Sequence, residues 1–384
     1  MTTVETIKNP EQVIEQLYVD KKLTGIQQNY TPIIVRDYIK PHVKNTDKLL
    51  IIYNLEFVKD YYQTNEIVFI SDDVVRNKIA EIKYKVKTIL IKSDFSDFSE
   101  IKKTLIDMKF DLIISNPPYN NNLDLKILKS IYNLSERICL VHPATWILDK
   151  KGICKQYNTL KESIKNSLKS IVLFNGNSAF NIYLLTPCMV TYIDMSHNNE
   201  NINVLDKLNN KNYNISNIYD IDLYSWYENY TTLRNKILNY CKNDNLSNYT
   251  NKKSGKFYIN FPVLRGHIDN IPTMFNDDFY TFFPKDLIKY EVITDNNQSD
   301  KNYYITLDTN NKRDNCIKYL KDYKSRFCLS LFKKNRNLNR GEFESVPYFD
   351  FTNEITDDFF KSELGITDEE LSFMRKSIPD YYES

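Results

Sequence analysis

An α/β fold built on a doubly wound, mostly parallel sheet is the class this 384-residue sequence predicts. Three observations point to it. Short apolar runs recur at 49–53, 67–70, 87–91 and 110–114. The stretches between them carry apolar residues at helical spacing. The runs also end in Asn, Asp or Ser, which close strands and open helices. Strand, helix and strand in that rhythm make βαβ units and a parallel sheet.

The elements follow in order. Residues 4–24 read as an amphipathic helix, and 24–32 as a loop. Thr31-Pro32 opens a helix, with Pro in its first turn and apolar Ile33, Ile34, Val35, Tyr38 and Ile39. Leu49–Tyr53 is the first strand, Asn54-Leu55-Glu56 a turn, and 57–63 a short helix. Ile67–Ile70 is the second strand and ends in Ser71-Asp72-Asp73; 74–83 is helical. Lys87–Ile91 is the third strand and ends in Ser93-Asp94; 99–108 is helical. The fourth strand, 110–114, ends in Ser115-Asn116. Beyond it, 123–134 reads as helix, 138–143 as strand and 157–170 as helix. Residues 171–174 and 183–193 pair as an antiparallel edge hairpin, which completes about seven strands, within the usual range of an open sheet.

The texture changes after Asp194, where a polar loop, short mixed runs and aromatic clusters begin. The domain boundary is placed there: residues 1–195 form one domain and 196–384 a second, α+β region. No internal repeat is present.

Composition removes several function classes. The start lacks an apolar signal core, and no run approaches membrane-spanning length. Six cysteines show no C-x-x-C pair, and four histidines are scattered, so neither disulfides nor a metal site is expected. A cytoplasmic location follows. Net charge is +1. Residues 341–384 hold 12 acidic and 3 basic side chains, whereas 312–340 hold 10 basic and 2 acidic ones. With Tyr323, Phe327 and Phe332 interleaved, the basic segment suits a phosphate backbone or a solvated helix face, and both readings stay open. Oligomeric state is not encoded in any visible pattern.

The chemistry is concentrated in Ser115-Asn116-Pro117-Pro118-Tyr119. Open α/β sheets bind ligands at the carboxyl ends of their strands, which is where the fourth strand delivers Asn116. Two prolines fix the backbone and add carbonyls without N–H donors. The Asn116 side-chain oxygen and the Pro117 carbonyl can accept both hydrogens of one planar amine. The Tyr119 ring offers a stacking face for a base. Pro-Pro alone is ordinary turn punctuation; a strand ending in Asn-Pro-Pro-Tyr reads as a site.

This stretch resembles the catalytic motif of S-adenosylmethionine-dependent amino-methyltransferases, and in its Asn-Pro-Pro-Tyr form the DNA adenine-N6 enzymes. Guanine-N2 RNA and glutamine-N5 protein methyltransferases share the motif. The resemblance covers residues 24–194 and looks most like Type IIG-related and phage-type adenine methylases of restriction-modification systems. It implies a Rossmann-like methyltransferase sheet with S-adenosylmethionine as cofactor, and double-stranded DNA with a flipped base as partner. Asn116, Pro117, Pro118 and Tyr119 take the catalytic role. Tyr30, Thr31 and Pro32 match the upstream cofactor element. Asp72 or Asp73 matches the ribose position and Asp94 the adenine position, although carboxylates also close strands as turn residues. Residues 196–384 become the target-recognition region. Val346–Phe351 resembles a closing element of the group. No nuclease half is expected, because only about two dozen residues precede the cofactor element.

One departure stands out. The family's first strand normally ends in Gly-x-Gly, so that backbone approaches the methionine. Here the residues are Tyr53-Asn54-Leu55-Glu56, and no glycine occurs between Gly25 and Gly152. Asn54 and Glu56 are the substitutes at hand, with Glu56 facing either the methionine ammonium or its own helix N-terminus. Three functions remain: a DNA methylase, an RNA or protein amino-methyltransferase, and a methylase fold weakened to a binding module.

Overall fold

The computed structural model describes residues 31–44, 46–92, 94–119, 122–148, 155–180, 187–197, 201–222, 224–251, 257–262, 291–292, 302–332 and 340–378. The helix expected at 4–24, Tyr30 and the first residues of the expected strand 183–193 lie outside them. The chain divides into two compact units, residues 1–144 with 155–218, and residues 145–154 with 219–384.

The first unit is the expected doubly wound, mostly parallel sheet, with more strands than anticipated. β1 (Lys48–Ile52), β2 (Glu66–Ser71), β3 (Lys87–Leu90), β4 (Leu112–Ser115) and β5 (Arg137–Pro143) pair in parallel in the order β3-β2-β1-β4-β5. β6 (Leu168–Phe174) and β7 (Cys188–Asp194) follow, and β7 inserts antiparallel between β5 and β6. Nearly every residue of β1, β4 and β7 is buried, as expected of strands covered on both faces.

Two expectations at this edge are corrected. The helix read at 157–170 spans only Lys155–Ile164, and the Ser167 N–H bonded to the Ile164 carbonyl closes it. The chain then enters β6 three residues before Ile171. The hairpin is also not an edge. β6 pairs in parallel with β8 (Ile202–Asp206), which pairs antiparallel with β9 (Lys211–Ile215), giving nine strands. The sheet therefore runs past residue 195, where the sequence change was read as a boundary. β8 alternates buried Ile202, Val204 and Asp206 with half-buried Asn203 and Leu205, the period of a strand with one covered face. Asp206 turns the chain by accepting from the Leu208 and Asn209 amides.

Helices α1 (Ile33–Ile39), α2 (Leu55–Tyr61), α3 (Val74–Tyr84), α4 (Phe98–Ile106), α5 (Leu123–Ile131) and α6 (Lys155–Ile164) belong to the same unit. In α1 only Val35 and Ile39, four apart, are fully buried, and Ile33 and Ile34 are exposed. Their core neighbours include Ile51, Phe57, Phe69, Ile114 and Val190.

The second unit is α+β. Thr250–Asn251, Phe257–Pro262, Glu291–Val292 and Asn302–Leu307 form a four-stranded antiparallel sheet. Its helices include Asn310–Lys321, Tyr323–Ser330, Asp357–Leu364 and Asp368–Ser377. Buried Tyr319 packs on Phe349 and Phe351, with centroids at 5.5 and 5.8 Å, so Val346, Phe349 and Phe351 are core while Asp350 is exposed.

The opposed charges of 312–340 and 341–384 meet at two cations, Lys318 and Lys324, while Lys312 and Arg313 pair with Asp308 and Asp314. Lys318 pairs with Glu354 at 3.2 Å, and buried Lys324 pairs with Asp357 at 2.7 Å and with Asp322 at 3.1 Å. Asp357 also accepts from Tyr323 and from Arg375. Much of the described basic segment thus serves the fold, while Lys333, Lys334 and Arg336 lie outside the described residues. Replacing Asp357 with Ala should destabilise the second unit by about 2 kcal/mol, less than the ~3–5 of a fully orphaned buried charge because Asp322 remains. Urea unfolding of the whole chain measures it; an unchanged midpoint would show that Lys324 needs only Asp322.

Candidate functional site

The carboxyl ends of β1 and β4 are laced together by side chains. Ser115 Oγ donates to the Ile52 carbonyl at 3.1 Å. One residue on, the Asn116 backbone N–H donates to Asn54 Oδ1 at 2.7 Å. Asn116 Nδ2 donates to Thr31 Oγ1 at 3.0 Å, and Asn116 Oδ1 accepts from the Tyr119 hydroxyl at 2.8 Å. Thr31 and Asn54 have no exposed surface, and Asn116 is 3% exposed. Asn54 stands at the N-cap of α2, yet its side chain makes no cap bond and turns to Asn116 instead. Every bond of this set lies in a low-dielectric interior, where a satisfied polar network is rigid and a broken one is costly.

The expected catalytic stretch is therefore assembled, with Tyr119 in an unexpected pose. Pro117 is buried, and Pro118 and Tyr119 are half-buried. Tyr119 packs against the apolar core, and burial followed by the neighbouring Cys188 pushes its phenol well above the ordinary range. Its hydroxyl holds the oxygen that was expected to accept from an amine. A carboxamide oxygen has two lone pairs, so one acceptor position of Oδ1 remains beside this bond.

The expected cofactor residues separate into groups. Thr31 and Asn54 are directed at Asn116. Pro32 precedes α1 in extended conformation. Glu56 is buried in the first turn of α2. Asp73 caps α3, accepting from the Val75 N–H at 2.8 Å and the Arg76 N–H at 3.3 Å, and Asp72 directly follows β2. Asp94 is exposed beyond β3 and accepts from the Ser96 N–H at 3.0 Å; hydrogen bonds from Ser96 lower its pKa.

Two features escaped the sequence reading. The first is Tyr53, which directly follows β1 where a glycine was expected. Its φ is +75°, its ring is fully buried, and its hydroxyl has no hydrogen-bond partner among the described residues. The missing Gly-x-Gly was the available signal. The second is a buried polar group on β5, β7 and α5. His142 Nε2 lies 3.1 Å from Thr191 Oγ1, and Thr191 donates to the Leu140 carbonyl at 3.4 Å. Nε2 therefore carries the proton, and Nδ1 faces Asp124 Oδ2 at 3.8 Å. Burial pushes Asp124 up to about 7 and His142 down to about 3. Only topology joins these residues, so no local spacing announced them.

Among the described residues, no group of three or more His, Cys, Asp or Glu side chains is placed to hold a metal ion. No helix among them is long and apolar enough to cross a membrane.

No protein-family model matches the sequence, and no curated protein does. Solved structures show partial likeness. The type I restriction-modification methyltransferase subunit of Streptococcus thermophilus aligns at 16% identity over 49% of this chain and 50% of its own, with a TM-score of 0.37. The type IIG restriction endonuclease BpuSI aligns at 9% identity over 92% of this chain and 62% of its own, with a TM-score of 0.43. The plantazolicin methyltransferase BpumL, solved with SAH, aligns at 11% identity over 49% of this chain and 91% of its own, with a TM-score of 0.27. The chain spans about half the length of the type I subunits it aligns with. Likeness of this extent concerns partial fold and carries no activity.

The Asp124–His142 pair makes a pH prediction. Asp124, raised from 3.8 to about 7, contributes stability present below its unfolded pKa and lost as pH climbs toward 7. His142, lowered from 6.5 to about 3, contributes stability present above 6.5 and lost as pH falls toward 3. The two offset each other over much of that window. Asp124→Asn removes the first, so the variant's stability relative to wild type should rise steadily from pH 4 to 7. Thermal melts across that range test this, and parallel curves would show that Asp124 does not titrate there.

Proposed function

We propose that the chain is a methyltransferase that transfers a methyl group from S-adenosylmethionine to the exocyclic N6 amine of adenine in DNA. The supporting observation is Asn116 at the end of β4, held by Asn54 and Thr31 and followed by Pro-Pro-Tyr. S-adenosylmethionine, when bound, supplies an electrophilic methyl group carried on sulfur. The residues present fit its groups. Asp72 and Asp94 lie at the ends of β2 and β3 and suit hydroxyl and amine donors, and Glu56 beside β1 suits an ammonium. The unpartnered Tyr53 hydroxyl leaves a donor unused among them.

The residues divide the work as follows. Asn116 Oδ1 and the Pro117 carbonyl accept the two amine hydrogens and orient the nitrogen lone pair. The Tyr119 hydroxyl leaves Asn116 as the base enters, and the ring stacks on the base. The target must be flipped out of the duplex to reach a site at a sheet edge. No general base is required, because the proton leaves after the methyl group arrives. Residues 219–384, which fall in the second unit, would read the DNA sequence.

A nucleic-acid partner is supported by a groove of about 640 Å³ between α5 and α6, lined by Lys126, Lys129 and Lys155. None of the three forms an ion pair among the described residues, unlike the cations of the 312–330 segment.

Asn116→Ala should lower kcat by at least about 100-fold, on the order of the ~3 kcal/mol lost with one transition-state donor. Cofactor affinity should change little. Methyl transfer to duplex DNA, RNA and glutamine peptides, compared side by side, tests the substrate; activity on RNA or peptide alone would overturn the DNA assignment. Changing Lys126, Lys129 and Lys155 to Gln should flatten the dependence of log K on log salt by roughly 0.9 per lost phosphate contact. An unaltered slope would place the groove away from the nucleic acid.

A further inference from the structure

Tyr53 carries two costs at once. A bulky side chain in the left-handed region is a true outlier, and such residues persist where the surroundings over-determine them. Here the surroundings do so. The Tyr53 N–H donates to the Ile70 carbonyl at 2.7 Å, and its own carbonyl accepts from buried Arg76 at 3.1 Å. These two bonds hold φ at +75°. The second cost is the phenol. It is buried without a partner, although most buried tyrosine hydroxyls find one.

The place matters as much as the strain. Tyr53 ends β1, next in sequence to Asn54, which holds Asn116. The acids acting on its phenol are Asp72, Asp97 and Asp94, from the ends of β2 and β3 and the N-cap of α4. β2 pairs with β1, so Asp72 follows the strand beside Tyr53, and no carboxylate bonds to the phenol. What it lacks is an acceptor brought from outside.

We propose that Tyr53 is a cofactor-binding residue whose hydroxyl donates to an oxygen or ring nitrogen of the adenosine half of S-adenosylmethionine. The inference rests on the methyltransferase reading above. It assigns to a strained tyrosine the end of β1, where a glycine was expected. The adenosine half is selected because the neighbouring acids are those at the ends of β2 and β3. S-adenosylhomocysteine has the same half, so both ligands should respond alike.

Calorimetry of the full chain with both ligands, beside melts without ligand, tests this. Tyr53→Phe should weaken both about tenfold, or roughly 1.4 kcal/mol. The ligand-free melting temperature should not fall, since the deleted hydroxyl had no partner to lose. Unchanged affinity in Tyr53→Phe would overturn the proposal while leaving the methyltransferase reading intact. So would a fall in melting temperature with no loss of affinity, which makes the hydroxyl structural. Tyr53→Ala supplies another arm: tighter binding than wild type would mean that the ring blocks the site, and would overturn the proposal. A folded wild type that binds neither ligand would overturn the cofactor reading and the proposal together.

Discussion

Asn116 is fixed by hydrogen bonds from three places in the chain, and the arrangement of the site depends on them. Thr31 precedes α1, Asn54 follows β1, and Tyr119 follows β4 itself. The contacts span 85, 62 and 3 residues of sequence. A carboxamide held at its backbone, its nitrogen and its oxygen has little freedom left. The sheet supplies the rest of the rigidity, because β1 and β4 are neighbours and Ser115 bonds to the last carbonyl of β1. The bonds at the backbone N–H and at Nδ2 fix the carboxamide, and the Tyr119 hydroxyl occupies one lone pair of Oδ1.

The same polar economy governs the second unit. Its basic and acidic stretches look separate in sequence, but Lys318 and Lys324 find Glu354 and Asp357, and Arg375 joins Asp357 from within the acidic stretch. Burial decides which charges are committed. Lys324 is 3% exposed and paired twice, so it holds a core position rather than a binding surface. Charge read along a sequence counts side chains, whereas the field outside the protein reflects only those left unpaired.

The parallel half of the sheet was legible because each strand is a continuous apolar run that ends in a polar residue. The position of Asn-Pro-Pro-Tyr was legible because it directly follows an apolar run of strand length, and β4 ends at Ser115. Strand β8 was missed because its short run, Ile202–Asp206, directly follows a polar loop, and β9 because Lys211–Ile215 is Asn-rich and mostly exposed. The roles of Thr31 and Asn54 are long-range and have no periodic trace. Tyr53 was visible only as a missing glycine; its backbone angle and solitary hydroxyl arise from tertiary contacts with Ile70 and Arg76.

The position of β6 bears on how this protein can be divided. β6 donates and accepts on both sides, to β7 and to β8. Ending the chain at residue 195, where composition changes, would strip β8 away and leave one flank of β6 unpaired. An apolar strand with open amides is a template for pairing with other chains. A fragment that stops after residue 218 keeps both flanks covered, and β9 then forms the margin with Lys211, Asn212 and Asn214 exposed. The polar composition that disguised β9 as a loop is what makes it a safe border for the sheet.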